Sequence, residues 1–195
     1  MKKKVIFFYL FFFFSISLQS LENNILATVN DNSITLIDLQ NEISFINFIN
    51  KENKKNENIL TEEILKSLIE RKIKEIETNN YNFKIRDDEI NNKIFYFSKT
   101  NNTTEFKIGN FFKSKSISES YLKNIIITEI KWEKLVFDIY KEKINRIILE
   151  AKNQMDSEAN KNELNQKEKK LEILVSSLMD SHFHKIKRNY IIKIL

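Results

Sequence analysis

Side chains that commonly perform catalysis or bind metals are scarce in this chain, and their spacing suits neither task. Histidine occurs only at His182 and His184, and cysteine is absent. On a helix His182 falls within the apolar stripe while His184 falls outside it, so the two rings do not face one another. Helical metal sites need histidines at i and i+4 together with a further ligand. We therefore expect no metal ion, and burial in the core explains His182 more simply.

Carboxylates and hydroxyls offer no catalytic arrangement either. Asp87, Asp88 and Glu89 form a run of acidic residues. Carboxylates in the first turn of a helix are stabilised by its dipole, which accounts for this run. No serine lies in a G-x-S-x-G motif, and the single glycine, Gly109, cannot supply the loop that binds the phosphates of ATP. The sequence therefore predicts neither an enzyme nor a bound cofactor.

The first residues have the features of a secretion signal. Lys2, Lys3 and Lys4 precede the apolar run Val5–Leu18. This run fits the roughly 7–15 residues of a signal-peptide core and falls short of the ~20 residues that span a bilayer. We expect residues 1–20 to be removed on export. The alternative is an uncleaved anchor, which would then be the only contact with a membrane.

Composition and charge place the rest of the chain among helical proteins. It has one glycine and no proline, which disfavours tight-turned β-sandwiches. Loss of the three signal lysines lowers the net charge from +5 to about +2. Lysine and glutamate are interspersed, which is typical of solvated helix faces, and no basic stripe indicates nucleic acid as a partner. The mature length of about 175 residues suits one domain.

Apolar residues at helical spacing predict six helices. We expect them at about residues 36–50, 61–78 and 87–100, a short one around 106–112, and then 118–148 and 167–187. Thr35 and Asp38 resemble a capping box at the start of the first helix. Thr61 is predicted to cap the second helix.

Strands are expected only at the two ends. Leu26–Val29 and Ser33–Thr35 flank the turn-prone residues Asn30–Asn32, which predicts a β-hairpin. A lone terminal strand at Tyr190–Leu195 must pair with something, and this hairpin is the best partner. The predicted fold is mainly α, with a small β-sheet formed by the N-terminal hairpin and the C-terminal strand. The predicted order is a signal peptide (1–20), a helical domain (21–149), a polar linker (150–166), and a C-terminal helix and strand that complete the same domain (167–195).

A series of short patterns in this order carries a resemblance to a known family. The patterns are Val29-Asn30-x-x-x-Ile34-Thr35-x-x-Asp38-Leu39, Leu65-x-x-Leu68-Ile69-x-x-Lys72-Ile73 and Phe83-Lys84-Ile85-x-x-Asp88-Glu89-Ile90. With a signal in front and the closing run Tyr190–Leu195 behind, the chain resembles SurA-type periplasmic chaperones. The resemblance covers roughly residues 25–148 and the last ~30 residues.

One departure limits what the resemblance implies. SurA-type chaperones usually carry one or two parvulin-type isomerase domains before the C-terminal helix, and here residues 150–166 stand in that place without glycine, histidine or cysteine. The resemblance therefore implies a periplasmic, ATP-independent holdase that binds unfolded exported or outer-membrane polypeptides, without prolyl isomerase activity. The alternatives are a dedicated structural or assembly subunit of an envelope complex, and an auxiliary of a separate prolyl isomerase.

A holdase needs exposed apolar side chains with which to bind its clients. Phe45, Phe48, Phe95 and Tyr96 lie off the stripes that build the core, which makes them the first candidates for binding clients. For any one of them, burial against a neighbouring helix is the slightly favoured explanation, but we do not expect all four to be buried. The remaining candidates for the client surface are Phe111, Phe112 and Trp132.

Overall fold

A computed structural model of the chain describes residues 24–53, 60–118, 120–153 and 161–195. The elements follow in the order β1 (Ile25–Val29), β2 (Asn32–Thr35), α1 (Leu36–Glu52), α2 (Thr61–Asn79), α3 (Asp87–Thr100), α4 (Glu105–Lys115), α5 (Ser120–Asn153), α6 (Lys161–Lys187) and β3 (Ile192–Ile194). The predicted mainly α fold with a small sheet is confirmed. The predicted signal peptide lies outside the described residues.

The first three helix starts follow the local chemistry of the sequence to different extents. At α1 the Thr35 hydroxyl accepts from the Asp38 backbone N–H at 3.2 Å, and the Asp38 carboxylate accepts from the Thr35 N–H at 2.8 Å. This confirms the capping box. At α2 the predicted cap is wrong, because Leu60 is the N-cap residue and Thr61 is the first residue of the helix. Asp87 opens α3, which places the acidic run in its first turn.

Helices enter the predicted polar linker from both sides. Helix α5 continues to Asn153, and α6 begins at Lys161 rather than near residue 167. The middle of the predicted linker, residues 154–160, lies outside the described residues. In the described part of the chain, no helix combines the length and the apolar character needed to cross a bilayer.

The sheet joins the two ends of the chain, as predicted. Its strand order is β2-β1-β3, and both pairs are antiparallel. Val29 lies opposite Ile192 and Ala27 opposite Ile194. Ala27 and Val29 are fully buried, so this face of the sheet covers the helical core.

Two apolar clusters hold the helices together. The first, which we call the sheet core, lies beneath the sheet. Its buried members include Val29, Leu39, Leu68, Ile73, Trp132, Leu135, Leu178 and Phe183. The second, which we call the phenylalanine core, joins α1, α3, α4 and α5, and its buried members include Phe45, Ile90, Ile108, Phe111, Phe112, Leu122 and Ile126. Helix α1 therefore lies between two cores and contributes to both.

The buried histidine has an incomplete set of hydrogen bonds. His182 is 7% exposed and lies between Trp132 and Tyr140, with ring centroids 5.5 and 5.7 Å away. Its Nδ1 lies 3.4 Å from the Tyr140 hydroxyl, and its Nε2 has no partner among the described residues. The predicted placement of His182 within the apolar stripe is confirmed, and His184 is exposed.

Acidification should weaken the fold through His182. Burial lowers the pKa of this imidazole, and the charge of Glu77, which acts in the opposite direction, does not offset it. Below the ordinary pKa of about 6.5, the unfolded chain therefore binds more protons than the folded protein. The contribution of His182 to stability is thus complete above this pH and is lost as the pH falls below it. One such group contributes at most about 1.4 kcal/mol per pH unit.

Urea unfolding between about pH 8 and about pH 5 measures this effect. His182→Phe should remove its share of the slope. An unchanged slope in His182→Phe would show that the imidazole keeps its ordinary pKa.

Candidate functional site: an apolar groove

The structure divides the predicted client-binding aromatics into buried and exposed residues. Phe45 is 6% exposed, so burial against neighbouring helices is the explanation that holds for this candidate. It packs against Phe97 and Phe112 at centroid distances of 5.8 and 5.6 Å. The reason is that α1 has a second apolar face, which α3 and α4 cover. Phe48 is half-buried, and its ring stacks on Phe111 at 4.6 Å.

The three remaining candidates of the sequence are also core residues. Phe111 and Phe112 belong to the phenylalanine core, and Trp132 is 1% exposed in the sheet core. The Trp132 indole lies against His182 and Phe183 of α6. These side chains are not available at the surface as a client site, because neighbouring helices already cover them.

Phe95 and Tyr96 are exposed, in line with the expectation that the four candidates are not all buried. They are 55% and 63% exposed, and their rings meet edge to face at 5.8 Å. Their position follows from the helical period, since both lie on α3 away from the stripe of Ile90 and Ile94. Their role in binding clients stays a prediction.

Tyr96 lines a groove of about 620 Å³ between α3, α5 and α6. Its apolar lining consists of Phe83, Tyr96, Ile130, Phe137, Val175 and Met179. Phe137 is 44% exposed, so an aromatic ring on each of two helices faces solvent. The volume falls within the range of roughly 300–1,000 Å³ that is usual for ligand pockets. We refer to it as the α3–α5–α6 groove.

Two ion pairs bridge α3 and α5 along the groove. Lys93 Nζ lies 2.6 Å from Glu133 Oε1, and Lys134 Nζ lies 2.9 Å from Glu89 Oε1. Each pair links α3 to α5. The Arg86 backbone N–H and the Lys134 ammonium lower the pKa of Glu89. Because these charges are paired within the walls, the chemistry that the groove offers to a ligand is mainly apolar.

Sequence reasoning missed most of the groove lining. Phe137, Val175 and Met179 line the groove, and none of them is among the candidate residues that the sequence suggests. The signal that points to Phe137 is the width of the α5 face, which is broader than one neighbouring helix can cover. Met179 adds a flexible, polarisable side chain, which adapts to ligands of irregular shape.

A second, polar cleft of about 390 Å³ lies between α2 and α5. At its base Arg71 donates two hydrogen bonds to Glu42, at 2.8 and 2.6 Å, and the Tyr121 hydroxyl donates to the same carboxylate. Burial alone would raise the pKa of Glu42, but Arg71 and Tyr121 lower it below its ordinary value. Burial and the Glu42 charge raise the pKa of Tyr121. We call these three residues the Glu42 clamp, because they tie α1, α2 and α5 together.

Within the described ranges, no group of three or more histidine and carboxylate side chains is arranged so that it could hold a metal ion.

A scan against protein-family models found no match for the chain, and a search among curated proteins found no significant match.

Proposed function

We propose that this protein is an ATP-independent periplasmic holdase that binds unfolded exported or outer-membrane polypeptides and does not isomerise proline bonds. The observation that carries the proposal is the α3–α5–α6 groove, in which Tyr96 of α3 and Phe137 of α5 are exposed. The order of the sequence patterns, which resembles that of SurA-type chaperones, supports the same function.

The physical task of such a site is to cover apolar side chains of a client until the client folds. Burying one aromatic or aliphatic side chain contributes about 1.5–3 kcal/mol. Part of that gain is offset by the ordering of a flexible chain, so one groove binds weakly and reversibly. Apolar contact requires no fixed pattern of hydrogen bonds, and surfaces with flexible side chains such as methionine accept varied sequences.

Replacing the exposed groove aromatics should reduce holdase activity without unfolding the protein. We expect Tyr96→Ser combined with Phe137→Ser to require several-fold more protein to suppress aggregation of an unfolded outer-membrane barrel. Because both side chains are largely solvated, the melting temperature should change little, in line with the roughly 0.5 kcal/mol typical of surface substitutions. The two measurements are thermal unfolding and the aggregation assay.

Phe106→Ser is the matched control, because Phe106 is 76% exposed on α4 and does not line the groove. It should retain full holdase activity. Equal activity of the groove variant and the wild type would refute the groove as the client site. Acceleration of Xaa-Pro isomerisation in proportion to protein concentration would contradict the non-enzymatic part of the proposal. Recovery of one stoichiometric partner from the periplasm, instead of many clients, would favour a dedicated assembly subunit.

A further inference from the structure

The sheet has an open edge at its C-terminal strand. In the described residues β3 pairs with β1 on one side and with no strand on the other. The Leu195 N–H donates to the Leu26 carbonyl at 2.9 Å, and the Asn30 N–H donates to the Ile191 carbonyl at 2.8 Å. In this antiparallel register the backbone groups of residues 191, 193 and 195 point towards β1.

The same register fixes where the intervening backbone groups point. The N–H and C=O groups of Ile192 and Ile194 are directed away from β1, towards the open edge. An edge with unpaired donors and acceptors is a template for an added strand. A recurring mode of peptide recognition uses such an edge, with backbone hydrogen bonds for affinity and alternate side chains for specificity.

Side chains along this edge are unusually apolar for a solvated strand. Ile191, Ile194 and Leu195 are 66%, 68% and 76% exposed. Lys193 lies between Ile191 and Leu195 on the outer face, opposite Thr28 of β1. It has no ion-pair partner among the described residues. The outer face of residues 191–195 therefore presents an apolar–basic–apolar row.

Charge decides what can occupy the edge. A second copy paired along the whole of β3 would place Lys193 directly opposite Lys193 of that copy, and like charges in direct opposition are destabilising. An acidic residue at the same position would instead form a favourable cross-strand pair. Apolar residues two positions before and after it would meet Leu195 and Ile191.

We propose that the open edge of β3 is a docking site for an extended protein segment that carries an apolar–x–acidic–x–apolar pattern. The segment adds to the sheet as a fourth, antiparallel strand. Its backbone pairs with Ile192 and Ile194, and its acidic side chain lies against Lys193. The site shares no residue with the α3–α5–α6 groove, so it goes beyond the holdase function and does not depend on it.

Two synthetic peptides test the proposal on protein purified from cells that express the whole chain. One peptide has the sequence Thr-Val-Thr-Glu-Thr-Val-Thr, and the other has Lys in place of Glu. We expect the Glu peptide to bind roughly fivefold more tightly. Hydrogen exchange followed by NMR supplies the structural readout. The amides of Ile192 and Ile194 should exchange rapidly in the free protein and become protected by the Glu peptide, whereas Lys193 and Leu195 should be protected throughout.

Two variants make the test specific to this edge. Lys193→Glu should reverse the preference, so that the Lys peptide binds more tightly. Ile194→Pro removes only an outward N–H, which an edge strand tolerates, and should weaken binding several-fold relative to the matched Ile194→Thr. Tyr96→Ser combined with Phe137→Ser should leave peptide binding unchanged, which separates this site from the groove.

Three results would overturn the proposal. The first is protection of Ile192 and Ile194 in the free protein at all concentrations, which would mean that the edge is already covered. The second is protection that rises with protein concentration alone, which would assign the edge to a second copy. The third is a peptide preference that Lys193→Glu does not alter.

Discussion

Replacing Arg71 by Met should lower the free energy of unfolding by about 3–5 kcal/mol, because it leaves a buried carboxylate without its charged partner. Glu42 is 5% exposed, and Arg71 supplies two of its hydrogen bonds. The remaining donor is the Tyr121 hydroxyl, which cannot neutralise the charge. Urea unfolding at neutral pH measures the loss, and thermal unfolding should shift downwards by about 10 °C for a chain of this size.

Removing the whole Glu42 clamp is the control for this prediction. The triple variant Glu42→Leu, Arg71→Met and Tyr121→Phe buries no charge, and replacing a complete buried pair by apolar residues is often close to neutral. It should therefore be more stable than Arg71→Met alone. A triple variant as unstable as the single variant would mean that the cost arises from packing and not from an unpaired charge.

The clamp also predicts a difference in acid sensitivity. Because the pKa of Glu42 is lower in the folded protein than in the unfolded chain, its contribution is present at neutral pH. That contribution is lost as the pH falls below the ordinary value of about 4.3 towards the lower folded value. The triple variant lacks this contribution, so the difference in stability between it and the wild type should change in that acidic range.

The clamp illustrates what periodicity alone does not predict. The apolar stripe on α1, the capping box at Thr35 and the hairpin at the start of the chain depend on residues close in sequence, and all three are present in the structure. Glu42 and Arg71 are far apart in sequence and polar. Nothing in their local patterns indicates that α1 and α2 bring them together away from water.

The aromatic candidates illustrate the same limit in a different way. A helical wheel places Phe45 away from the stripe of Leu39 and Ile43, and this placement is correct. A helical wheel carries no information about neighbouring helices, and here a second neighbour, α4, covers that face with Phe112. Tyr96 lies off the stripe of its own helix for the same reason, yet it stays exposed because no described helix covers it. Exposure therefore depends on tertiary packing that a single helix does not encode.

The closing strand shows a third case, in which the expected pairing is present but the burial expected from strand alternation holds only in part. Alternation along β3 places Ile192 and Ile194 on the face that covers the core. Ile192 packs against the sheet core, but Ile194 is 68% exposed. The apolar core does not extend as far as the last residue of the strand. Where the core ends depends on how all the elements pack, which the alternation of one strand does not indicate.

Replacing Trp132 by Ala should cost about 3–5 kcal/mol of stability, the usual range for deleting a large buried aromatic side chain. The indole is 1% exposed and lies against His182 and Phe183, so it is part of the contact between α5 and α6. Because α6 leads directly into β3, a loosened α6 should also loosen the strand. Hydrogen exchange should therefore show the amide of Leu195, which pairs with β1, losing protection together with amides of α6.

Trp132→Phe and Phe106→Ala are the matched controls for this last prediction. The first keeps an aromatic ring against α6 and should cost clearly less than the alanine variant, because the cavity is smaller. The second removes a ring that is 76% exposed and should change stability by no more than about 0.5 kcal/mol. A Trp132→Ala variant that keeps its stability but loses holdase activity would show that the indole serves client binding and not core packing. Unchanged Leu195 protection in a destabilised variant would show that β3 is held by the sheet alone, independently of α6.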